Sequence, residues 1–125
     1  GNENNYGLFW DGAETEDIPI EDRKSTARAH SMYKLFNEAT VAMKAIDSNH
    51  PIAICNGDLL FLDIIAKECK DVDVFGTNVY RGVSFGDLFE RVKKEYGKPV
   101  LLTEFGADAF NVQTNQEDQN AQAFY

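Results

Sequence analysis

The amino-acid sequence comprises 125 residues, which suffices to bury one modest hydrophobic core and predicts a single domain or a part of one. Hydrophobic residues make up 43% of the chain and charged residues 26%, as in ordinary globular proteins rather than disordered or fibrous ones. The net charge of -9, without any basic run or any apolar stretch of ~20 residues, excludes nucleic-acid and membrane binding as expected functions.

The longest predicted element is an amphipathic helix over residues 23–47. Its apolar side chains recur at spacings of three and four, which predicts that they form the buried stripe: Met32, Leu35, Phe36, Ala39, Met43 and Ile46. The helix is expected to end before Pro51, because proline disfavours the helical conformation in the residue that precedes it.

Three apolar strands, predicted over residues 51–55, 72–80 and 99–105, alternate with helices in the rest of the chain. The intervening helices are predicted over residues 59–69, capped by Asp58, and over residues 88–96, opened by a capping box of Ser84 and Asp87. Thr114 with Glu117 predicts the start of a last helix. This alternation predicts an α/β fold with parallel strands.

Three strands cannot close on themselves, so the predicted sheet exposes edges through which copies of the chain could associate. The two cysteines, Cys55 and Cys69, lack the paired spacing of a zinc or redox site and are predicted to be core thiols. No phosphate-binding glycine loop or metal-binding loop is recognisable. We therefore expect no cofactor and no metal.

Polar side chains follow each predicted strand, where parallel α/β folds collect their functional groups. They are Asn56 and Asp58, then Asn78 and Tyr80, then Thr103, Glu104 and Asp108. Glu104 directly follows an apolar run, and a carboxylate there is costly unless it is hydrogen-bonded, exposed or functional. From the spacing alone, an ordinary strand-end glutamate paired with a nearby cation is slightly favoured over a functional one.

Three segments resemble motifs of the large clan of retaining glycosidases that are built on (β/α)8 barrels. Residues 1–10 (GNENNYGLFW) resemble its Asn-Glu signature after strand four, residues 74–80 (VFGTNVY) resemble strand six, and residues 98–106 (KPVLLTEFG) resemble strand seven. The catalytic barrel of family 2 glycoside hydrolases, the β-galactosidase and β-glucuronidase group, is the closest resemblance. It implies half of a TIM barrel, from the end of strand four to helix seven, since complete barrels need ~250 residues.

Carried over to this sequence, the resemblance implies that Glu3 is the general acid/base and Glu104 the nucleophile. It also implies that Asn2 binds the sugar 2-hydroxyl, that Tyr80 positions the nucleophile and that Asn78 supports the site. The aromatic ring of Trp10 is a candidate surface for packing against a sugar, although such aromatic residues are more often simply buried.

The expected function is therefore hydrolysis of β-glycosidic bonds with retention, acting on a carbohydrate substrate. Two alternatives stay open: a β-glucan transglycosylase, as suggested by a second resemblance to β-1,3-glucanosyltransferases, and a non-catalytic α/β unit that serves in carbohydrate binding or assembly. The barrel strands that this chain lacks would supply further substrate-binding groups, so activity of the chain alone is doubtful.

Overall fold

The computed structural model describes residues 1–9 and 25–124. In chain order, the elements are a 3-10 helix η1 (Tyr6–Phe9), α1 (Ser25–Ile46), β1 (Ala53–Gly57), α2 (Leu62–Glu68), β2 (Val74–Val79), α3 (Leu88–Glu95), β3 (Val100–Phe105), β4 (Phe110–Asn111), β5 (Gln116–Glu117) and α4 (Gln119–Phe124). Among these residues, none of the helices combines the length and the apolar character that crossing a bilayer requires.

The three predicted strands form one parallel sheet in the order β1-β2-β3, which confirms the α/β class and the parallel pairing. The central strand β2 is buried from Phe75 to Val79. Gly76 allows β1 and β2 to approach closely, since a Cβ atom at this position would collide with the carbonyl oxygen of Ile54. The first strand begins at Ala53, two residues later than the sequence predicted.

The core lies between one face of the sheet and the helices. Ile54, Phe75 and Val100 pair across the three strands and point to this face, where the ring of Phe75 meets that of Tyr96 edge-on at 6.1 Å. Paired residues of a parallel sheet share a face, so Cys55, Gly76 and Leu101 point the other way. That second face, which we call the open face, leaves Leu101 49% exposed.

The long helix α1 is confirmed, but its predicted buried stripe is wrong in part. Ala29, Tyr33 and Thr40 form the buried face, whereas Leu35 is 60% and Ile46 90% exposed. Two other members of the stripe, Ala39 and Met43, are also exposed, while Met32 and Phe36 pack against the core as predicted.

Satisfied polar groups explain why α1 turns a different face to the core. The hydroxyl of Tyr33 donates to Asn56 Oδ1 at 2.6 Å, and that of Thr40 donates to the carbonyl of Phe36 at 2.9 Å. A hydroxyl that is hydrogen-bonded in this way can be buried at little cost, which a hydrophobic pattern does not register. Burial raises the pKa of Tyr33 far above its ordinary value. Asn56 is thus a core residue rather than a member of the polar strand ends.

The predicted caps of the second and third helices are wrong. Residue Phe61, in the left-handed region with φ of 63°, precedes α2, and Asp58 lies outside the helix. The hydroxyl of Ser84 accepts from the backbone N–H of Gly86 at 3.0 Å, and Asp87 makes no side-chain capping bond to α3. Gly97, with φ of 70°, follows α3 and its N–H bonds to Val92, in agreement with the predicted helix end.

The C-terminal segment also differs from the prediction. Residues 110–117 form the antiparallel hairpin β4-β5 instead of opening a helix at Thr114. The final helix α4 begins at Gln119, after Asp118, whose Oδ1 accepts from the N–H of Ala121 at 3.0 Å. The backbone hydrogen bond from Ala121 and the side-chain bond from Asn111 lower the pKa of Asp118. The capping residue of this helix is therefore Asp118. The self-association expected from open sheet edges stays a prediction.

Candidate active site

The N-terminal segment lies along the outer edge of β1 and so brings Asn2 and Glu3 to the end of the sheet. The backbone N–H of Glu3 donates to the carbonyl of Cys55 at 3.1 Å. The side chain of Asn5 both donates to the carbonyl of Gly57 at 2.9 Å and accepts from its N–H at 2.7 Å. The next residue, Asp58, bonds to the other side: its backbone N–H donates to the carbonyl of Asn78, which lies in β2, at 3.0 Å. Successive residues of a strand bond to opposite sides in this way.

Gly57 and Asn5 are structural residues of this site that the sequence did not indicate. Asn5 is 1% exposed, and the ring of Tyr6 lies directly against Gly57, where a Cβ atom would collide with it. Burial and the negative charges of Glu3 and Asp58 raise the pKa of Tyr6. Glu3 itself has a left-handed backbone with φ of 48°, as expected of a tight turn fixed from both sides.

A β-bulge in β3 brings two consecutive side chains to the site. The register pairs Thr77 with Leu102 but Asn78 with Glu104, so that Thr103 is an extra residue in β3. In a regular strand, Thr103 and Glu104 would point to opposite faces. Here both side chains bond to residues of β2 or directly after it. The Thr103 hydroxyl donates to Oδ1 of Asn78, in β2, at 2.6 Å, and Glu104 accepts from Tyr80, which follows β2.

The hydroxyl of Tyr80 donates to Glu104 Oε2 at 3.0 Å. This hydrogen bond is the main cause that raises the pKa of Tyr80, followed by partial desolvation and by the negative charges of Glu104, Glu3 and Asp108. Asp108 lines the same cleft as Tyr80, and the backbone of Glu3 bonds to Cys55, whose thiol contacts Asn78. Tyr80 remains the neutral donor throughout the neutral pH range.

Asn2, Cys55, Asn78 and Thr103 form a polar network on the open face beside these carboxylates. Asn78 Nδ2 donates to Asn2 Oδ1 at 3.1 Å, and the thiol of Cys55 lies 3.1 Å from the same oxygen. The thiol is also 3.2 Å from the hydroxyl of Thr103. Cys55 is therefore a half-buried site residue rather than the predicted core thiol, whereas Cys69 is buried and its burial, with the charge of Glu68, raises its pKa to about 12.

The guanidinium of Arg81, the residue that follows Tyr80, is paired with two other carboxylates. Its Nε donates to Asp58 Oδ2 at 2.8 Å and its Nη2 to Oδ1 at 2.5 Å, while Nη1 donates to Asp87 Oδ1 at 3.2 Å. These bonds raise the pKa of Arg81. Within residues 1–9 and 25–124, no cation forms an ion pair with Glu104. The alternative of a glutamate held by a nearby cation therefore lacks its partner in this part of the chain.

A cleft of about 600 Å³ opens beside the Tyr80–Glu104 pair. It is lined by Tyr80, Arg81, Gly82, Val83, Gly106, Ala107 and Asp108. Its volume lies within the range of about 300–1,000 Å³ that is typical of small-molecule sites. In the described ranges, His, Cys, Asp and Glu side chains form no group of three or more that could bind a metal ion.

Of the six predicted site residues, Asn2 bonds to Asn78 and Tyr80 bonds to Glu104, while Glu3 follows Asn2 and its backbone bonds to Cys55. The sixth, Trp10, lies outside the described residues. Neither a model of a known protein family, nor a curated protein, nor a solved structure matches this chain. The case for a function therefore rests on the geometry of these side chains.

Replacement of Glu104 by glutamine is expected to lower the pKa of Tyr80 toward the ordinary tyrosine value. The raised pKa of Tyr80 comes first from its hydrogen bond to Glu104, and an amide is a weaker acceptor that carries no charge. The protonated hydroxyl of Tyr80 therefore keeps its hydrogen bond to Glu104 at pH values below the ordinary tyrosine pKa of ~10. It loses this bond as the pH rises through the raised pKa of Tyr80. Ultraviolet titration of tyrosinate, with a Tyr80→Phe variant to identify the signal, measures the shift. An unchanged Tyr80 midpoint in Glu104→Gln would contradict the contact.

Proposed function

We propose that this chain is part of a retaining β-glycosidase, with Glu104 as the nucleophile and Glu3 as the general acid/base. The observation that carries the proposal is the hydrogen bond from Tyr80 to Glu104 Oε2, in a region where the charge of Glu3 also acts on Tyr80. Retaining glycosidases need two carboxyl groups, separated by about 5–5.5 Å, one to attack the sugar and one to transfer protons. In the proposal, Glu104 attacks the sugar and Glu3 transfers the protons.

The first step of the proposed reaction is glycosylation. Tyr80 binds one oxygen of Glu104, which orients the carboxylate and leaves Oε1 to attack the anomeric carbon. The bond between the anomeric carbon and the glycosidic oxygen breaks as the ester with Glu104 forms, and Glu3 gives its proton to the departing alcohol. This proton transfer prevents a high-energy alkoxide from forming.

The second step releases the sugar. Glu3, now a carboxylate, takes a proton from water while the water oxygen attacks the anomeric carbon from the face that the alcohol left. The ester bond breaks and Glu104 returns as a carboxylate. Two displacements at one carbon restore its original configuration. The cleft beside Tyr80, which Asp108 and two glycines help to line, is a suitable place for part of a carbohydrate.

The proposal includes a larger architecture, in which this chain forms the segment from the end of strand four to helix seven of a (β/α)8 barrel. Three observations support it: the strands are parallel, helices cover one face of the sheet, and the polar groups collect at the carboxyl ends. In such a barrel the open face would become the interior, which would cover Leu101. The N-terminal segment would continue the strand that neighbours β1.

Covalent trapping tests the proposed function. The protein with its complete barrel is incubated with dinitrophenyl 2-deoxy-2-fluoro-β-glycosides of glucose, galactose and glucuronic acid. The fluorine slows both steps and the good leaving group restores only the first, so the ester on the nucleophile accumulates. Peptide mass spectrometry is expected to find one sugar on Glu104, and Glu104→Gln, which keeps the shape of the side chain, is the matched control. A label on another residue would contradict the assignment. Sugar binding without a label across the panel would favour the non-catalytic carbohydrate-binding alternative.

A further inference from the structure

Four polar side chains from four adjacent backbone segments lie side by side on the open face. Asn2 comes from the N-terminal segment, Cys55 from β1, Asn78 from β2 and Thr103 from the bulge in β3. The hydrogen bonds between them span the sheet. Such a row connects the strand of Glu104 with the segment of Glu3.

The order of donors and acceptors in this row is defined at Asn78. Its Oδ1 accepts from the hydroxyl of Thr103 at 2.6 Å and lies 3.3 Å from the thiol of Cys55. Its Nδ2 donates to Asn2 Oδ1 at 3.1 Å. Asn78 is 2% exposed, and a buried amide is stable only with both of its ends satisfied. In this arrangement Thr103 holds the oxygen end of the Asn78 amide, and the nitrogen end is left to bind Asn2.

Asn2 receives its orientation from Asn78. Its Oδ1 is occupied by Asn78 Nδ2 and by the thiol of Cys55. Its Nδ2 makes no hydrogen bond to the residues that the structure describes, and Asn2, which immediately precedes Glu3, is exposed. An amide held in this way presents two N–H donors to whatever binds beside the carboxylates.

We infer that Thr103 is a positioning residue that acts through Asn78 to hold the amide of Asn2 as a hydrogen-bond donor to a sugar hydroxyl. The inference rests on the proposed function for the class of ligand. Without the Thr103 hydroxyl, the amide of Asn78 is free to rotate by half a turn and offer its oxygen toward Asn2. Asn2 then turns its own N–H groups toward Asn78 and its carbonyl toward the ligand. The bulge makes this control possible, because it lets Thr103 and Glu104 serve the same site.

The test compares Thr103→Val, which keeps the shape and lacks the hydroxyl, with Thr103→Ser, which keeps the hydroxyl. The substrates are an aryl β-glycoside and its 2-deoxy counterpart, since the resemblance assigns the 2-hydroxyl to Asn2. Thr103→Val is expected to lower kcat/KM on the 2-hydroxy substrate by roughly tenfold, the effect of one lost hydrogen bond. It should leave the 2-deoxy substrate unchanged, and Thr103→Ser should behave as the parent protein. Equal losses on both substrates, or no loss on either, would overturn the inference.

A second measurement separates failure of this inference from failure of the proposed function. The side-chain amide signals of Asn2 and Asn78 in nitrogen-15 NMR spectra report changes in the hydrogen bonds of these amides. They are expected to move in Thr103→Val and to stay in place in Thr103→Ser, while the other signals show that both variants are folded. If no β-glycoside is hydrolysed but these signals move, the positioning of Asn2 by Thr103 through Asn78 is supported and the proposed function fails. If glycosides are hydrolysed and the signals do not move, the inference about Thr103 fails and the proposed function stands.

Discussion

Replacement of Glu104 by alanine is expected to reduce kcat on every β-glycoside by a factor on the order of 10⁴–10⁶, the scale of losing a covalent nucleophile. In the proposed mechanism, Tyr80 orients the carboxylate by donating to Glu104 Oε2, at 3.0 Å, and the other carboxylate oxygen would attack the anomeric carbon. The loss should be equally severe for activated aryl glycosides. A good leaving group cannot replace the attacking atom.

Azide provides the diagnostic experiment for this variant. Removing the carboxylate leaves space below the sugar, so azide should enter from that face, displace an activated leaving group in one step and yield the α-glycosyl azide. Tyr80→Phe is the matched control, because it removes the hydrogen bond but keeps the nucleophile, and it should lose far less activity than Glu104→Ala. If the two variants were equally inactive, Tyr80 would have a larger role than orienting Glu104.

The strands and the long helix could be predicted because their signals are local. An apolar run such as residues 99–102 followed by polar residues indicates a buried parallel strand, and β3 occupies Val100–Phe105. The polar strand ends were also informative: Tyr80 donates to Glu104, and Thr103 donates to Asn78. Roles inside the site depended on the resemblance, since spacing alone left Glu104 open to an ordinary ion pair.

Features that depend on distant partners could not be predicted in the same way. Asp58 looks like a helix cap in the sequence, but Arg81 binds its carboxylate across 23 residues of chain. The buried face of α1 includes Tyr33 because Asn56 accepts its hydroxyl. Hydrophobic periodicity counts such tyrosine and threonine side chains as neutral or polar, and it therefore places part of the buried stripe on the wrong face of the helix.

The bulge at Thr103 is the most consequential feature that the sequence concealed. Strict alternation after Leu101 on the open face places Thr103 there and sends Glu104 toward the helices. The observed register instead aligns Glu104 with Asn78. Nothing in the local sequence marks the extra residue, because threonine is an ordinary strand residue. The signal lies in the pairing with β2, which only the folded chain displays.

Replacement of Glu3 by alanine is expected to have a different kinetic signature from the Glu104 variant. Aryl glycosides with good leaving groups need little protonation, so the first step should continue and Glu104 should still become glycosylated. Release should then slow by roughly 10²–10⁴-fold, the usual contribution of a general base, because water lacks its proton acceptor. A rapid burst of the aryl alcohol followed by a slow steady state is the expected time course. Glu3→Gln, which retains the size of the side chain, should show the same burst.

Azide should accelerate the slow step of the Glu3→Ala variant, because this anion attacks the glycosyl ester without needing a base. The attack comes from the face that the aryl alcohol left, so the product should be the β-glycosyl azide, opposite to the α product of Glu104→Ala. Asp108→Asn is a useful control, since Asp108 also contributes negative charge near Tyr80 and should give neither a burst nor azide rescue. Proton NMR distinguishes the two anomers by the coupling of the anomeric proton in sugars with an axial hydrogen at carbon two. Exchanged anomers between the Glu3 and Glu104 variants would mean that the two carboxylates have exchanged roles.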